Sequence, residues 1–120
     1  MKKLLNKEEY IFDLPKSMST VWDVFYMIST NPNRAQLGRL FAALIGVMVT
    51  NKQNIPKYNI SDCDLLNYGA VVQEWLAEKK ISPITVLNIG TELFEFLSSK
   101  IATQDDVQSA ENFSTQDPED

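Results

Sequence analysis

The groups best equipped for chemistry in this 120-residue chain lie together at Asp62, Cys63 and Asp64, two carboxylates around a thiol. Such a cluster could hold a metal, share a proton or supply a nucleophile. The rest of the composition argues against each. The chain contains no histidine and only one cysteine. A thiol without an imidazole lacks its usual base, and no zinc-binding spacing can be written. Asp62 and Asp64 fall instead at the start of an expected helix, where carboxylates are stabilised by the helix dipole. Cys63 reads as a small, half-buried or buried residue. The four glycines, Gly38, Gly46, Gly69 and Gly90, are scattered singly through expected helices, so no phosphate-binding loop exists. Glu92 and Glu95, three apart, read as a solvated helix face. No catalytic, cofactor-binding or metal-ligating residue emerges, and the expectation is a protein that is not an enzyme.

The remaining groups of interest suit contact with another protein. Tyr26 and Met27 fall off the main apolar face of their helix, and exposed Tyr, Met and Trp are favoured at interfaces. Trp75 is a second large aromatic of this kind. Arg39, with Arg34, carries the only charge on an otherwise apolar helix and could anchor a partner carboxylate. Tyr26, Met27, Arg39 and Trp75 are therefore the candidate partner-binding residues.

Hydrophobic spacing assigns the elements that must position these groups. The first helix is expected from about Met18 to Ser29, with Ser17 as N-cap and Asn31-Pro32 as its stop. The second, roughly Arg34 to Thr50, is apolar nearly all round through Leu37, Leu40, Phe41, Leu44, Ile45, Met48 and Val49, which predicts the central element. Gly38 and Gly46 each weaken it by about 1 kcal/mol relative to Ala; close approach of neighbouring helices compensates, and Gly38, Gly46, Gly69 and Gly90 are read as helix-packing glycines. Asn51 to Ile60 is a loop. A third helix starts at Ser61, with Asp64 at the capping-box position, and ends near Lys79-Lys80. A fourth begins with Ser82 as N-cap and Pro83 at its first position and runs to about Ile101. Tyr10–Pro15 alternates in a way that suits a short extended piece; with no convincing second strand to pair with, it reads as an arm on the core.

The expected architecture is all-α: a compact bundle of about four helices (residues 17–102), an N-terminal extended arm (1–16) and a flexible acidic tail (103–120), with one short helix through Phe113 before the tail's end. The net charge of −5 belongs to that tail. Residues 1–100 hold all 11 basic residues against 10 acidic ones, a net +1, whereas residues 101–120 hold six acids and no base. A near-neutral body gives no electrostatic reason to bind nucleic acid or anionic lipid. The longest apolar run, Leu40 to Val49, is half the ~20 residues a membrane span needs. The charges at Lys7, Glu8 and Glu9 interrupt the apolar core of any signal peptide. A single cysteine suits a reducing compartment. These features together predict a soluble cytoplasmic protein.

The stretches Gln36–Gly46 (QLGRLFAALIG) and Asp64–Leu76 (DLLNYGAVVQEWL), with Ala110–Ser114 (AENFS) ahead of the acidic end, resemble the small helical proteins encoded among bacteriophage tail genes. These include the tail assembly chaperones. The resemblance implies a helical, oligomeric protein of the host cytoplasm. It would bind the tape-measure protein before the tail tube polymerises around it, with no cofactor and no catalytic residues. Two other roles fit the same composition: a small acidic inhibitor of a host nuclease or nucleic-acid-binding defence protein, using the tail charge, and a minor structural protein of the virion.

Overall fold

The computed structural model describes residues 1–15, 18–30, 33–59 and 64–101. Two short strands, β1 (Lys2–Leu5) and β2 (Glu8–Ile11), precede four helices: α1 (Met18–Thr30), α2 (Arg34–Met48), α3 (Leu65–Glu78) and α4 (Pro83–Ile101). The fold is mostly helical, as expected, but it is not all-α.

Each helix start is fixed locally. The Asn33 side chain accepts from the N–H groups of Ala35 and Gln36 and caps α2. Asp64 accepts from the Asn67 N–H at 2.8 Å and caps α3. This helix therefore begins at Leu65, later than the start expected at Ser61, because Asp64 is the cap itself and not a residue inside the first turn. Ser61 and its neighbours Asp62 and Cys63 lie outside the described residues, as do Ser17, Asn31-Pro32 and everything from residue 102 onward. Ser82 Oγ accepts from the Thr85 N–H at 3.2 Å, with Pro83 at the first helical position of α4, as the sequence suggests. At the end of α3 the Lys80 N–H donates to the Ala77 carbonyl and the Ile81 N–H to the Leu76 carbonyl. That pair of bonds, with Lys80 at φ 63° and the side chains of Ile81 and Leu76 both buried, is a Schellman closure.

The N-terminal stretch read as an extended arm (1–16) contains a hairpin, and the extended piece expected at Tyr10–Pro15 joins it through Tyr10 and Ile11 at the end of β2. β1 and β2 pair antiparallel, Lys3 opposite Tyr10 and Leu5 opposite Glu8, through a two-residue turn in which Asn6 and Lys7 both have positive φ (47° and 70°). That is the geometry that matches strand twist in tight hairpins. Met1 and Phe12 exchange both backbone hydrogen bonds, which continues the ladder by one pair. One face of the hairpin sends Leu5, Tyr10 and Phe12 into the core, all buried. The outer edge of β2 is closed by the chain just after α2. The Thr50 N–H donates to the Ile11 carbonyl, while the Asn51 side-chain amide accepts from the Ile11 N–H and donates to the Glu9 carbonyl. This pairing also explains why α2 stops at Met48 and not Thr50: Val49 is extended and bridges Phe12. The outer edge of β1, at Lys2 and Leu4, has no backbone partner among the described residues.

α2 is the central element. Every residue from Leu40 to Gly46 is buried, and α1, α3 and α4 all pack on it. Phe25 of α1 stacks on Phe94 of α4 at 4.9 Å, which ties the outer helices together on one side. Two crossings depend on missing side chains. A Cβ on Gly69 would overlap the Arg39 backbone carbonyl, and one on Gly90 would overlap the Phe41 side chain. A Cβ on Gly46 would likewise strike the Tyr68 ring, whose hydroxyl donates to the Pro56 carbonyl at 2.7 Å. Gly38 is different: a Cβ there meets only the Gln73 amide nitrogen at ordinary contact distance, 3.4 Å. Helix packing does not require a glycine at that position.

Two stability measurements check this account. Gly69→Ala should destabilise the fold by roughly 1–3 kcal/mol through backbone displacement, although Ala outranks Gly by about 1 kcal/mol in helix propensity. Lys80→Gly should act in the opposite direction and stabilise by about 1 kcal/mol, because it relieves a left-handed backbone that disfavours a Cβ. Urea unfolding should show the two midpoints moving apart at an unchanged slope.

Candidate functional site

A concavity larger than the two others described below follows from how α3 and α4 share α2. The connection between them spans only residues 79–82, yet each packs on α2 far more than on the other. The space left between them is a groove of about 610 Å³. Its floor is Ala35 and Gly38 of α2. One wall is the single face Ala70, Gln73, Glu74 and Ala77 of α3, and the other is Ile81 at the turn with Pro83, Val86 and Leu87. The intervals of three and four residues within each set put them on one side of their helix. Four of these residues (Ala35, Gly38, Ala70 and Ala77) are Ala or Gly, too short to fill the gap, and that is the reason the groove stays open. Leu87 remains 41% exposed at the wall, and Ile84, one turn before it, 71% exposed. The groove carries two charges, Arg39 and Glu74, both exposed, and neither has an ion-pair partner among the described residues.

The four candidate partner-binding residues do not share this surface. Arg39 alone lines the groove. Tyr26, 60% exposed, and the half-buried Met27 line a shallower hollow of about 460 Å³ between α1 and the start of α3, with Tyr58 and Leu65 as its apolar wall and Asp23 and Asp64 at its rim. Trp75 is half-buried, with its ring edge-on to Tyr10 at 6.5 Å and the Lys79 ammonium 5.3 Å from its centre. It lies beside a small polar hollow lined by Glu8, Asn51 and Lys52, and its contacts with the hairpin give it a packing role. Of the glycines, Gly38 lies in the groove, while Gly46, Gly69 and Gly90 sit at helix crossings and do not line it. The residues that sequence reasoning missed are Glu74, Leu87 and the alanines. Their signal was the small-residue spacing on α2 and α3, which is visible only once the two faces are known to meet.

Asp64 is engaged as a helix cap. Glu92, expected on a solvated face, is half-exposed and ion-paired with Lys3 of the hairpin, while Glu95 is exposed. Among the described residues no group of three or more His, Cys, Asp or Glu side chains could hold a metal ion, and no helix is long and apolar enough to cross a membrane.

The titrating group whose environment is clearest is Glu8. Its carboxyl is held below its ordinary value of 4.5, chiefly by the hydrogen bond from Lys52 and then by the Lys52 charge. A depressed carboxyl stabilises the fold above its unfolded pKa, and that contribution disappears as pH falls through the lowered value. The thermal midpoint of the native protein should therefore exceed that of Glu8→Gln at neutral pH, and the gap should close below about pH 4. Added salt should narrow the gap at pH 7, because the pair is exposed. A gap that persists unchanged in acid would mean that Lys52 is not its source.

No family model, no curated protein and no solved structure matches the chain.

Proposed function

We propose that this protein is a non-catalytic binder of apolar helices, and that it serves as a phage tail assembly chaperone shielding a tape-measure-like partner in the host cytoplasm. The observation that supports this reading is the open groove over α2. It has the width left by two separated helices, a small-residue floor, apolar walls at Val86 and Leu87, and charge at its margins. Helix-in-groove recognition uses such a surface: an amphipathic helix lays bulky side chains at spacings of three and four residues into an apolar trough. A long apolar helical protein exposed before assembly would aggregate, and covering its apolar stripe is the physical task of a holdase. The likeness of Gln36–Gly46 and Asp64–Leu76 to tail-gene proteins bears on the same place, since both stretches contribute to the groove. Self-association of the chain would multiply the covering surface along a long partner.

Ala77 provides the test, being exposed and on the groove wall. A fluorescent amphipathic helix with a leucine ridge should bind the native protein, and Ala77→Trp should weaken binding at least about tenfold, ~1.4 kcal/mol, with the thermal midpoint unchanged. Equal binding by Ala77→Trp would show that the groove is not the seat. A tape-measure protein that precipitates as readily with the chain co-expressed as without it would remove the assembly role.

A further inference from the structure

The groove reading leaves open what the occupant looks like beyond being apolar, and the groove's own chemistry narrows that. Arg39 rises from α2 and Glu74 from α3, and both line the same trough. Both are exposed, and neither is neutralised by a neighbour among the described residues. Opposite charges at one trough, not paired with each other, give it two separate points of charge complementarity for an occupant. The floor adds a steric condition. Ala35, Gly38 and Ala70 leave hollows that a small side chain cannot fill, so the occupant must supply the volume.

We infer that the groove selects a helix with a bulky apolar ridge flanked by both signs of charge, an acidic group meeting Arg39 and a basic group meeting Glu74. This inference rests on the groove being the binding seat. It distinguishes the occupant from an apolar helix of uniform charge and from a helix with a small-residue face, which would leave the trough empty. A uniformly acidic helix satisfies Arg39 but repels Glu74, and a uniformly basic one does the reverse. A helix bearing both flanks satisfies both groups in one orientation along the groove. Mismatched charges near a surface cost little individually, so selection should show as a modest ratio and weaken with salt.

Three synthetic helices with the same leucine ridge, carrying mixed, all-acidic and all-basic flanks, test this by fluorescence anisotropy against the whole chain. The mixed helix should bind best, by roughly fivefold, a ratio of ~1 kcal/mol. Arg39→Glu should transfer the preference to the all-basic helix, and Glu74→Lys to the all-acidic one. Both positions are exposed, so thermal midpoints should confirm that each variant folds. If all three helices bind equally and neither charge reversal changes their order, the flanks are not read and the inference fails, while the groove survives as an apolar seat. If none binds the native protein, the groove reading itself fails and takes the inference with it.

Discussion

A helical stretch with no solvent-facing side obliges the rest of the chain to enclose it, and the C-terminal half of α2 imposes that obligation here. Its buried stretch from Leu40 to Gly46 leaves no face that can be turned to water, so the hairpin, α1, α3 and α4 must each take a sector. The enclosure is tight where a glycine lets backbones approach: α3 is seated at Gly69 against the Arg39 carbonyl, and α4 at Gly90 against Phe41. Seating two helices so closely on a third sets their separation from each other. The groove is thus a by-product of how the core closes. Toward the N-terminal half of α2 the covering side chains shrink to alanine and glycine, and enclosure gives way to a trough.

How far this was legible in the residues depends on whether the signal was local. The helix spans were readable because capping and apolar spacing are written within a few residues, as at Ser82-Pro83, and the centrality of α2 followed from its all-round apolarity. The hairpin was not readable. β1 alternates as Met1, Lys3 and Leu5 inward, so a lysine occupies an inner position, ion-paired with Glu92, and breaks the apolar pattern. Its turn uses Asn6-Lys7 where a glycine would announce the geometry. Lys80 likewise takes a left-handed position without a glycine, although the Lys79-Lys80 pair still marked the end of α3.

The groove was legible only in fragments. Arg39 attracted notice as a lone charge on an apolar helix, and it does line the groove. Glu74 looks like any solvated glutamate on α3, and its place in the same groove as Arg39 depends on how α3 crosses α2. Tyr26 and Trp75 were judged by residue type, and type does not say which of several hollows a side chain borders. The three concavities are each assembled from two or more elements distant in sequence, and no single helical period can report them.

The hairpin's two borders have opposite characters. Along β2, the Asn51 side chain imitates a neighbouring strand by offering one acceptor and one donor at the right interval. A side chain can satisfy those groups but has no second row of its own to present, so pairing ends there. Along β1 the backbone at Lys2 and Leu4 has no partner among the described residues, and the exposed Lys2 stands on the same face as the protruding Leu4. A second copy's β1 approaching that border would bring ammonium against ammonium. The little sheet is thereby capped on one side by mimicry and guarded on the other by repulsion, so neither border offers a second copy a strand to extend.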